Sequence, residues 1–476
     1  MGGEVFVFHE ESNVPIPGIA TVEDNESNTG NVSEFPRNTG VGVEECFQGI
    51  YEKAMPSKGS PSPIIHYEEP TLLRFKWGAT PEGGVRRLTL TKEDKAVRDW
   101  FVDTVQQYGA TVKVDEMGNL FAVRPGQNSE IAPIGIGSHL DTQPAGGRYD
   151  GILGVQAGIE VLKVLHENNY TTYAPIAVID WTNEEGARFN TGMLSSAVWA
   201  GNVSLEDAYN HTDSDGLRFK DELANIGYLG SVKATHTANP LSAHFEYHIE
   251  QGPLLEDEAK SVGVVTGVQG MTWLMVTVNG RCQHCGTTPI DRRADALLAA
   301  AQMISRINTI AWENKGLTTV GVINSEPQSP GTIPGTVTFS VDIEHHSNET
   351  LDKMAQNVRE ACASIAQGNS CTVDIKQIWR SAAVEFHKDC IDAVRASAIE
   401  LVGEDGYREL PAGAGHDSVN TSYICPTAMV FIPSRSGISH HPSEYSTPEH
   451  CALGTQVLLN AVLRYDEVLR AQREGS

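Results

Sequence analysis

The chain has 476 residues, which is too long for one ordinary hydrophobic core and therefore predicts two domains. Its 61 acidic and 35 basic residues give a formal net charge of −26 at pH 7, which repels nucleic acid and anionic membrane surfaces. The first residues contain no basic region, and no apolar run reaches the roughly 18 residues of a membrane helix. These features predict a cytoplasmic protein that binds neither nucleic acid nor membrane.

The eight cysteines are scattered along the chain, which is typical of a reducing compartment rather than of a disulfide framework. One pair, Cys282 and Cys285, has the CxxC spacing of many zinc sites. No second CxxC pair or suitably spaced histidine pair completes such a site. We therefore interpret this spacing as a coincidence.

The first 65 residues and the rest of the chain have different patterns. Residues 1–65 are rich in Gly, Ser, Asn, Pro and acidic residues, which predicts a partly ordered N-terminal arm. From residue 66, helical patterns alternate with continuous apolar strands such as APIGIGSHLDT and APIAVIDWTN. This alternation predicts a larger α/β domain, residues 66–265 and 381–476, with a mixed, mostly parallel sheet and helices on both faces.

The pattern changes between residues 266 and 380. The segments TWLMVTVNG, TVTFSVDIEHH and CTVDIKQIW alternate between apolar and polar residues, and two helical segments separate them. Alternation of this kind is typical of a sheet that is covered on one face only. Residues 266–380 are therefore predicted to form an inserted α+β domain, a sheet with two helices on one face.

Acidic residues and histidines follow the predicted strands, where ligands of open α/β sheets bind. Singly, each could be an ordinary structural residue, but together they offer nitrogen and oxygen ligands suited to zinc or a similar divalent metal. Because neighbouring residues of an extended chain point to opposite sides, one of two adjacent glutamates can bind metal while the other faces a water. The candidates are His139, Asp141, Asp150, Glu184, Glu185, His248 and His440.

From Ala79 onwards, the chain resembles the family of N-carbamoyl-L-amino-acid amidohydrolases and β-alanine synthases, the hydantoinase/carbamoylase amidases. That family also contains allantoate amidohydrolases and belongs to the zinc aminoacylase and carboxypeptidase superfamily. The resemblance implies a metal-dependent hydrolase that cleaves a linear amide or ureido C–N bond. The motifs that carry it, in the family's order, are TPEGGVRRL, GSHLDTQPAGGRYDGILGV, WTNEEGARF, HIEQGP, GVQGMTWLMVTVNGRCQHCGTTPIDRRADAL, GAGHDS and GISHHPSE.

The resemblance implies two divalent metal ions per subunit, either zinc or alternatively Mn, Co or Ni. His139 and His248 would be the terminal ligands of one ion. Glu185 and His440 would be the terminal ligands of the other ion, and Asp150 would bridge the two. Such ions make hydroxide available near neutral pH and polarise the carbonyl that is attacked.

Four further residues receive roles by the same resemblance. Asp141 would orient His139, Glu184 would be the general base, and Gln251 would contact the substrate. His284, in the inserted domain, would stabilise the tetrahedral oxyanion in the active site of the neighbouring subunit. The resemblance therefore implies a homodimer, with the inserted domain, a four-stranded sheet with two helices, acting as lid and dimerisation domain.

The sequence departs from the family at its carboxylate-binding residues. An Asn before TIPG is replaced by Gly331, and the Arg of a D-I-R-H strand is replaced by Glu344. An acid at that position repels a substrate carboxylate instead of holding it. Three explanations stay open: a substrate that lacks the carboxylate or carries an amine, a compensating charge from Arg281, or a specialised biosynthetic amidase.

Two alternatives to a carbamoylase-type enzyme also stay open. A metallo-peptidase or aminoacylase of the same superfamily would differ only in the acyl group that it recognises. A non-catalytic homologue would explain the two replaced residues, although degenerate enzymes usually lose a ligand or the base first.

Overall fold

The computed structural model describes residues 77–474, and the predicted N-terminal arm lies outside this range. The helices are α1 (Lys92–Gln107), α2 (Ile152–Glu167), α3 (Leu194–Ala200), α4 (Leu205–Asn210), α5 (Phe219–Asn225), α6 (Leu254–Asp257), α7 (Ala296–Asn314), α8 (Asn348–Gly368), α9 (Lys388–Val402), α10 (Asp417–Ser422) and α11 (Pro448–Glu474). The strands are β1 (Thr111–Val114), β2 (Leu120–Arg124), β3 (Ile134–His139), β4 (Ile176–Trp181), β5 (Ala243–Ile249), β6 (Val262–Val268), β7 (Gly270–Asn279), β8 (Gln283–His284), β9 (Leu317–Thr319), β10 (Ile323–Glu326), β11 (Thr332–Ile333), β12 (Thr336–His345), β13 (Thr372–Ser381), β14 (Val384–Glu385), β15 (Tyr407–Ala412) and β16 (Thr427–Ile432). None of the helices within residues 77–474 is long and apolar enough to cross a membrane.

A nine-stranded mixed sheet forms the larger domain. Its order is β1-β2-β4-β3-β5-β16-β6-β14, and β15 pairs with β6 beside this path. The central pairs β4–β3, β3–β5 and β5–β16 are parallel. These four strands are buried along their whole length, as expected when helices cover both faces. The predicted α/β class is confirmed.

The residues of β4 show how the two faces of this sheet are covered. Ile176 and Val178 belong to the core beneath α2, whereas Ala177 and Ile179 pack with Trp199 of α3 on the opposite face. Both sets are almost inaccessible to solvent. Successive side chains of a strand point to opposite faces, so a continuous apolar run is needed where both faces are covered.

The carboxyl ends of the parallel strands meet at one edge of the sheet. His139, the last residue of β3, pairs in register with Trp181, the last residue of β4. His248, near the end of β5, pairs with Phe431 of β16. The segments that follow these strands therefore begin side by side, which brings the predicted acidic residues and histidines to one place.

A smaller sheet lies in the inserted part of the chain, with the order β10-β12-β7-β13. β9 and β10 both pair with the same edge of β12, so the sheet has four strand positions, one of them shared by two short strands. Residues of β12 alternate between buried and half-buried, and the buried ones pack with α7 and α8 in a separate hydrophobic core. The predicted α+β domain is confirmed.

Two strand connections join the sheets. β6 of the large sheet continues into β7 of the small sheet with only Gln269 between them. The chain returns through β13 and β14, which pair antiparallel with β7 and β6. Ser381 pairs with Met271 on one side of this junction and Val384 with Val268 on the other. The junction is therefore a two-stranded ribbon.

Candidate metal site

Asp150 lies at the centre of the polar cluster at the sheet edge. Its Oδ1 atom is 3.0 Å from His248 Nε2 and 3.4 Å from His139 Nε2. Its Oδ2 atom is 3.2 Å from His440 Nε2. The two oxygens of one carboxylate thus face different histidines, an arrangement in which a single side chain can serve two cations.

The cluster divides into two groups that share Asp150. The first group consists of His139, Asp150 and His248, and the second of Asp150, Glu185 and His440. Within each group, one potential ligand atom per residue lies within 4.8 Å of the others. Imidazole nitrogens and carboxylate oxygens in this number fit zinc or a related divalent ion. The two groups contain all five residues that the family resemblance implies as metal ligands.

The two groups differ in solvent access and in the rigidity of their supports. His139 and His248 belong to central strands and are each 1% exposed. His440 lies in the loop before α11, its side chain is 48% exposed, and its φ of +55° is a conformation rare for residues other than glycine. The cluster therefore opens to solvent on the His440 side.

The charges of the cluster are unbalanced without a cation. Burial alone would raise the pKa of Asp150, but hydrogen bonds from His139, His248 and His440 hold it well below its ordinary value. Burial, followed by the charge of Asp150, raises the pKa of Glu185 to about 7. A bound cation would offset this repulsion between neighbouring acids, so the residues present fit a metal site.

Gly151 explains why the turn before α2 can approach β3. Its φ is +68°, and a Cβ atom there would lie 2.3 Å from the His139 ring. A larger residue would be both strained and in collision with the imidazole. This glycine, next to Asp150, permits the carboxylate to reach the histidines.

Glu184 and Glu185 lie in a turn and not on an extended chain, which corrects the geometry expected from the sequence. The turn follows β4, and Asn183 has a φ of +61°. Glu184 Oε2 is 3.6 Å from His139 Nε2, whereas Glu185 Oε2 is 3.3 Å from His440 Nε2. The two carboxylates still face different groups, but the turn and not the strand pleat separates them.

Asp141 has two sets of contacts. Its main-chain oxygen lies 3.0 Å from His139 Nδ1, whereas its carboxylate is 3.8 Å from that atom. The carboxylate instead accepts hydrogen bonds from the main-chain N–H groups of Glu184 (3.3 Å) and Glu185 (3.4 Å). In this geometry the backbone of Asp141 orients the histidine, and its side chain fixes the turn of the two glutamates.

His416 and Asp417 are buried site residues that the sequence reading did not single out. The His416 ring centroid is 4.6 Å from that of His248, and burial lowers the pKa of His416 well below its ordinary value. Within residues 77–474, His416 Nε2 and Asp417 Oδ2 have no hydrogen-bond partner. Both residues belong to the motif GAGHDS, which carries part of the family resemblance.

Of the predicted substrate-binding residues, Gln251 lies beside the metal cluster and Glu344 lies near the junction of the two sheets. Gln251 donates from Nε2 to Asp150 Oδ2 over 2.9 Å. Glu344 lies at the junction end of β12 and accepts a hydrogen bond from Gln269, whose Nε2 also donates to the Gly413 carbonyl over 2.7 Å. Burial, followed by the neighbouring Asp342, raises the pKa of Glu344 to about 8.

His284 and Gly331 lie together at the other end of the small sheet. His284 pairs with Thr332 in the short ladder of β8 and β11, and Cys285 N donates to the Gly331 carbonyl over 3.1 Å. His284 follows the Asn279 end of β7, and Gly331 precedes Thr336, which pairs with Asn279. The ten residues of β7 separate this end of the sheet from the junction by about 30 Å.

Arg281 does not lie beside Glu344 in the same subunit. It follows Asn279, which pairs with Thr336, whereas Glu344 pairs with Met271 at the other end of the ladder. The two pairs are separated by eight residue steps, or about 27 Å. An arginine side chain cannot cover that distance, so Arg281 cannot supply the missing charge within one chain.

Comparisons with known proteins show the family to which this chain belongs. Residues 135–464 match the sequence profile of Peptidase family M20/M25/M40. An N-carbamoyl-L-amino-acid amidohydrolase from Rhizobium meliloti is 40% identical over 398 residues, which cover 83% of this chain and 94% of that protein. One from Geobacillus stearothermophilus is 35% identical over 391 residues, 81% of this chain and 94% of that protein.

A solved structure indicates the same family. The crystal structure of a hydantoinase/carbamoylase family amidase from Burkholderia multivorans has a TM-score of 0.78 and 43% sequence identity. It covers 82% of this chain and 95% of that chain. The protein therefore belongs to Peptidase family M20/M25/M40, among the hydantoinase/carbamoylase amidases, and it is a hydrolase. The family resemblance expected from the motifs is confirmed.

Proposed function

We propose that the protein is a metal-dependent amidohydrolase that cleaves a linear amide or ureido C–N bond with two divalent ions, preferably zinc. One ion would be held by His139, Asp150 and His248, and the other by Asp150, Glu185 and His440. The observation that carries this proposal is the Asp150 carboxylate, whose two oxygens face the two groups separately. Ions bound there would acidify a water and polarise the scissile carbonyl.

Glu184 is proposed as the general base. It lies beside the His139 group, with Oε2 3.6 Å from His139 Nε2, but belongs to neither ligand group. Burial, followed by the nearby Asp417 and Glu185, raises the pKa of Glu184 well above its ordinary value, against an opposing effect of His139. A glutamate in such surroundings can accept the proton of a water and deliver it to the leaving nitrogen.

The proposal includes a homodimer in which each subunit supplies His284 to the active site of the other. His284 lies at the far end of the small sheet from the junction with its own catalytic domain. The same domain exposes apolar side chains that a second copy would cover. These are Ile290 (85% exposed), Trp312 (81%), Leu317 (60%), Val322 (52%) and Ile323 (49%). His284 would stabilise the oxyanion in the partner's site.

Mixed dimers test this exchange directly. We expect His284→Ala and Glu184→Gln homodimers to be nearly inactive, and their co-expressed mixture to regain about a quarter of wild-type activity. Half of a random mixture is hybrid, and each hybrid has one site with an intact Glu184 and the partner's intact His284. Activity is measured on the mixture and on differently tagged, co-purified hybrids, which should reach about half of wild-type activity because one of their two sites is complete. If His284 served its own subunit, no hybrid site would be complete and activity would not return.

The substrate is proposed to lack the carboxylate of ordinary N-carbamoyl amino acids, or to carry an amine in its place. Glu344 and Asp342 are two residues apart on the half-buried face of β12. Because burial and Asp342 raise the pKa of Glu344 to about 8, the pair shares a proton near neutral pH but keeps a negative charge, which would repel a substrate carboxylate. Gly331 is the other replaced position, and a Cβ atom there would meet nothing within 4 Å. The side-chain amide with which the family's Asn binds a carboxylate is therefore missing, and no neighbouring atom of residues 77–474 takes its place.

A turnover screen tests the function as a whole. The metal-loaded protein would be assayed with N-carbamoyl-β-alanine, N-carbamoyl-L-amino acids and allantoate, beside uncharged and amine-bearing amides. Dipeptides and N-acyl amino acids belong in the panel, because the matching profile is that of a peptidase family. We expect turnover of ureido or amide compounds that lack the carboxylate. A specialised biosynthetic amidase would give the same result. Efficient turnover of the carboxylate-bearing compounds would contradict the proposed change of substrate.

A further inference from the structure

Glu444 is a buried carboxylate that none of the proposed catalytic steps uses. It is 2% exposed. Its Oε1 atom accepts hydrogen bonds from the main-chain N–H groups of Tyr149 (2.8 Å) and Asp150 (3.1 Å). Its Oε2 atom accepts one from Ser439 Oγ, over 3.0 Å. One side chain thus holds two separate segments of the site.

The two segments carry ligands of the same proposed metal ion. Tyr149 and Asp150 belong to the turn before α2, whereas Ser439 directly precedes His440 in the loop before α11. Ser439 Oγ is also 3.2 Å from Asp150 Oδ2. The turn accommodates the glutamate at Gly147, where a Cβ atom would lie 2.0 Å from Glu444 Cδ.

The two ligand groups depend on this connection to different degrees. His139 and His248 are fixed by central strands and their ladders of hydrogen bonds. His440 lies in a loop, with a half-exposed side chain and a positive φ. Its distance from Asp150 therefore depends on what ties the loop to the turn.

We propose that Glu444 is a positioning residue that sets the separation between Asp150 and His440, and thereby the affinity of the Asp150–Glu185–His440 site for its metal ion. The inference rests on the proposed two-metal function. The His139–Asp150–His248 site should depend on Glu444 much less. Removing groups that orient metal ligands typically weakens binding about 10- to 100-fold.

Zinc titration of the metal-free protein tests this assignment. Wild type is expected to bind two ions per subunit, and Glu444→Ala to bind one with little change in affinity and the other about 10- to 100-fold more weakly. A double variant, Glu444→Ala with His440→Ala, should bind zinc no more weakly than His440→Ala alone. A purely structural effect would weaken both sites and would add to the His440 change.

Asp466 provides a matched control. It is 1% exposed and accepts hydrogen bonds from the main-chain N–H groups of Tyr173 (2.8 Å) and Ala174 (2.7 Å), away from the metal cluster. Asp466→Ala should lower the melting temperature of the metal-free protein comparably but leave both zinc affinities unchanged. If Glu444→Ala does not fold, Glu444→Gln, which keeps the size of the side chain, should show a smaller loss at the same site.

The outcomes separate the two proposals. Wild-type affinity for both ions in the Glu444 variants would overturn the positioning role while leaving the two-metal function intact. Equal weakening of both sites, or the same pattern in Asp466→Ala, would overturn it as well. A wild-type protein that binds fewer than two ions would contradict the proposed function itself, and the inference with it.

Discussion

Glu184→Gln is expected to lower kcat by about 10²- to 10⁴-fold, the usual contribution of a general base, while the protein still binds two metal ions. Gln has nearly the same size but cannot accept the proton of the attacking water. Glu184 belongs to neither of the two groups around Asp150, so its loss should not release an ion. Steady-state kinetics and metal content of the dialysed variant measure the two effects separately.

The neighbouring Glu185 gives this experiment its control. Glu185→Gln changes the same functional group one residue further along, but Glu185 Oε2 lies 3.3 Å from His440 Nε2 within the second ligand group. This variant should lose metal affinity first and recover activity at high metal concentration, whereas Glu184→Gln should not recover. Activity of Glu184→Gln within tenfold of wild type would disprove its assignment as the base.

Glu344→Arg is expected to raise kcat/KM for an N-carbamoyl-L-amino acid by about 10- to 100-fold, because a charge-assisted pair with the substrate carboxylate would replace a repulsion. Asp342 would remain beside the new arginine, as in the D-I-R-H strand of the family. Turnover of amine-bearing amides should fall in the same variant. In the proposed dimer, where Gly331 would reach this site from the partner subunit, adding Gly331→Asn should increase the gain further, since open space surrounds that position.

Two further variants separate local from general charge effects. Glu344→Gln removes the ionisable carboxyl group without adding a positive charge, and above about pH 8, where Glu344 is ionised, it should produce a smaller gain than Glu344→Arg. Glu360→Arg makes the same change of net charge on the exposed face of α8 and should leave kcat/KM unchanged. If Glu344→Arg behaved like Glu360→Arg, the side chain at position 344 would not contact the substrate.

The sequence predicted the parts of the site that depend on strand order. Parallel strands end at the same edge, so histidines and acids after β3, β4 and β5 could be expected to meet there. His139 and Glu185 are examples, and the structure groups each of them with Asp150, because β3 and β4 end in register. The division into a larger α/β sheet and a smaller sheet followed from the change in hydrophobic periodicity.

Other features could not be predicted because they depend on contacts between main-chain atoms that lie far apart in the sequence. Glu444 binds N–H groups almost 300 residues earlier in the chain, and no local pattern marks those donors. The backbone contact of Asp141 with His139 depends on the path of the chain after β3. The distance between Arg281 and Glu344 follows from strand register, which composition and spacing alone do not determine.

The two-stranded junction between the sheets favours one direction of bending, and so one direction in which the smaller sheet can rotate against the larger one. A ribbon of paired strands bends readily out of its own plane, whereas bending within the plane would break the hydrogen bonds between the strands. A rotation of about 10° at the junction would move His284, about 30 Å away, by about 5 Å and would hardly displace Glu344. The proposed charge selection at Glu344 could therefore precede domain closure, whereas the proposed contribution of His284 would depend on it.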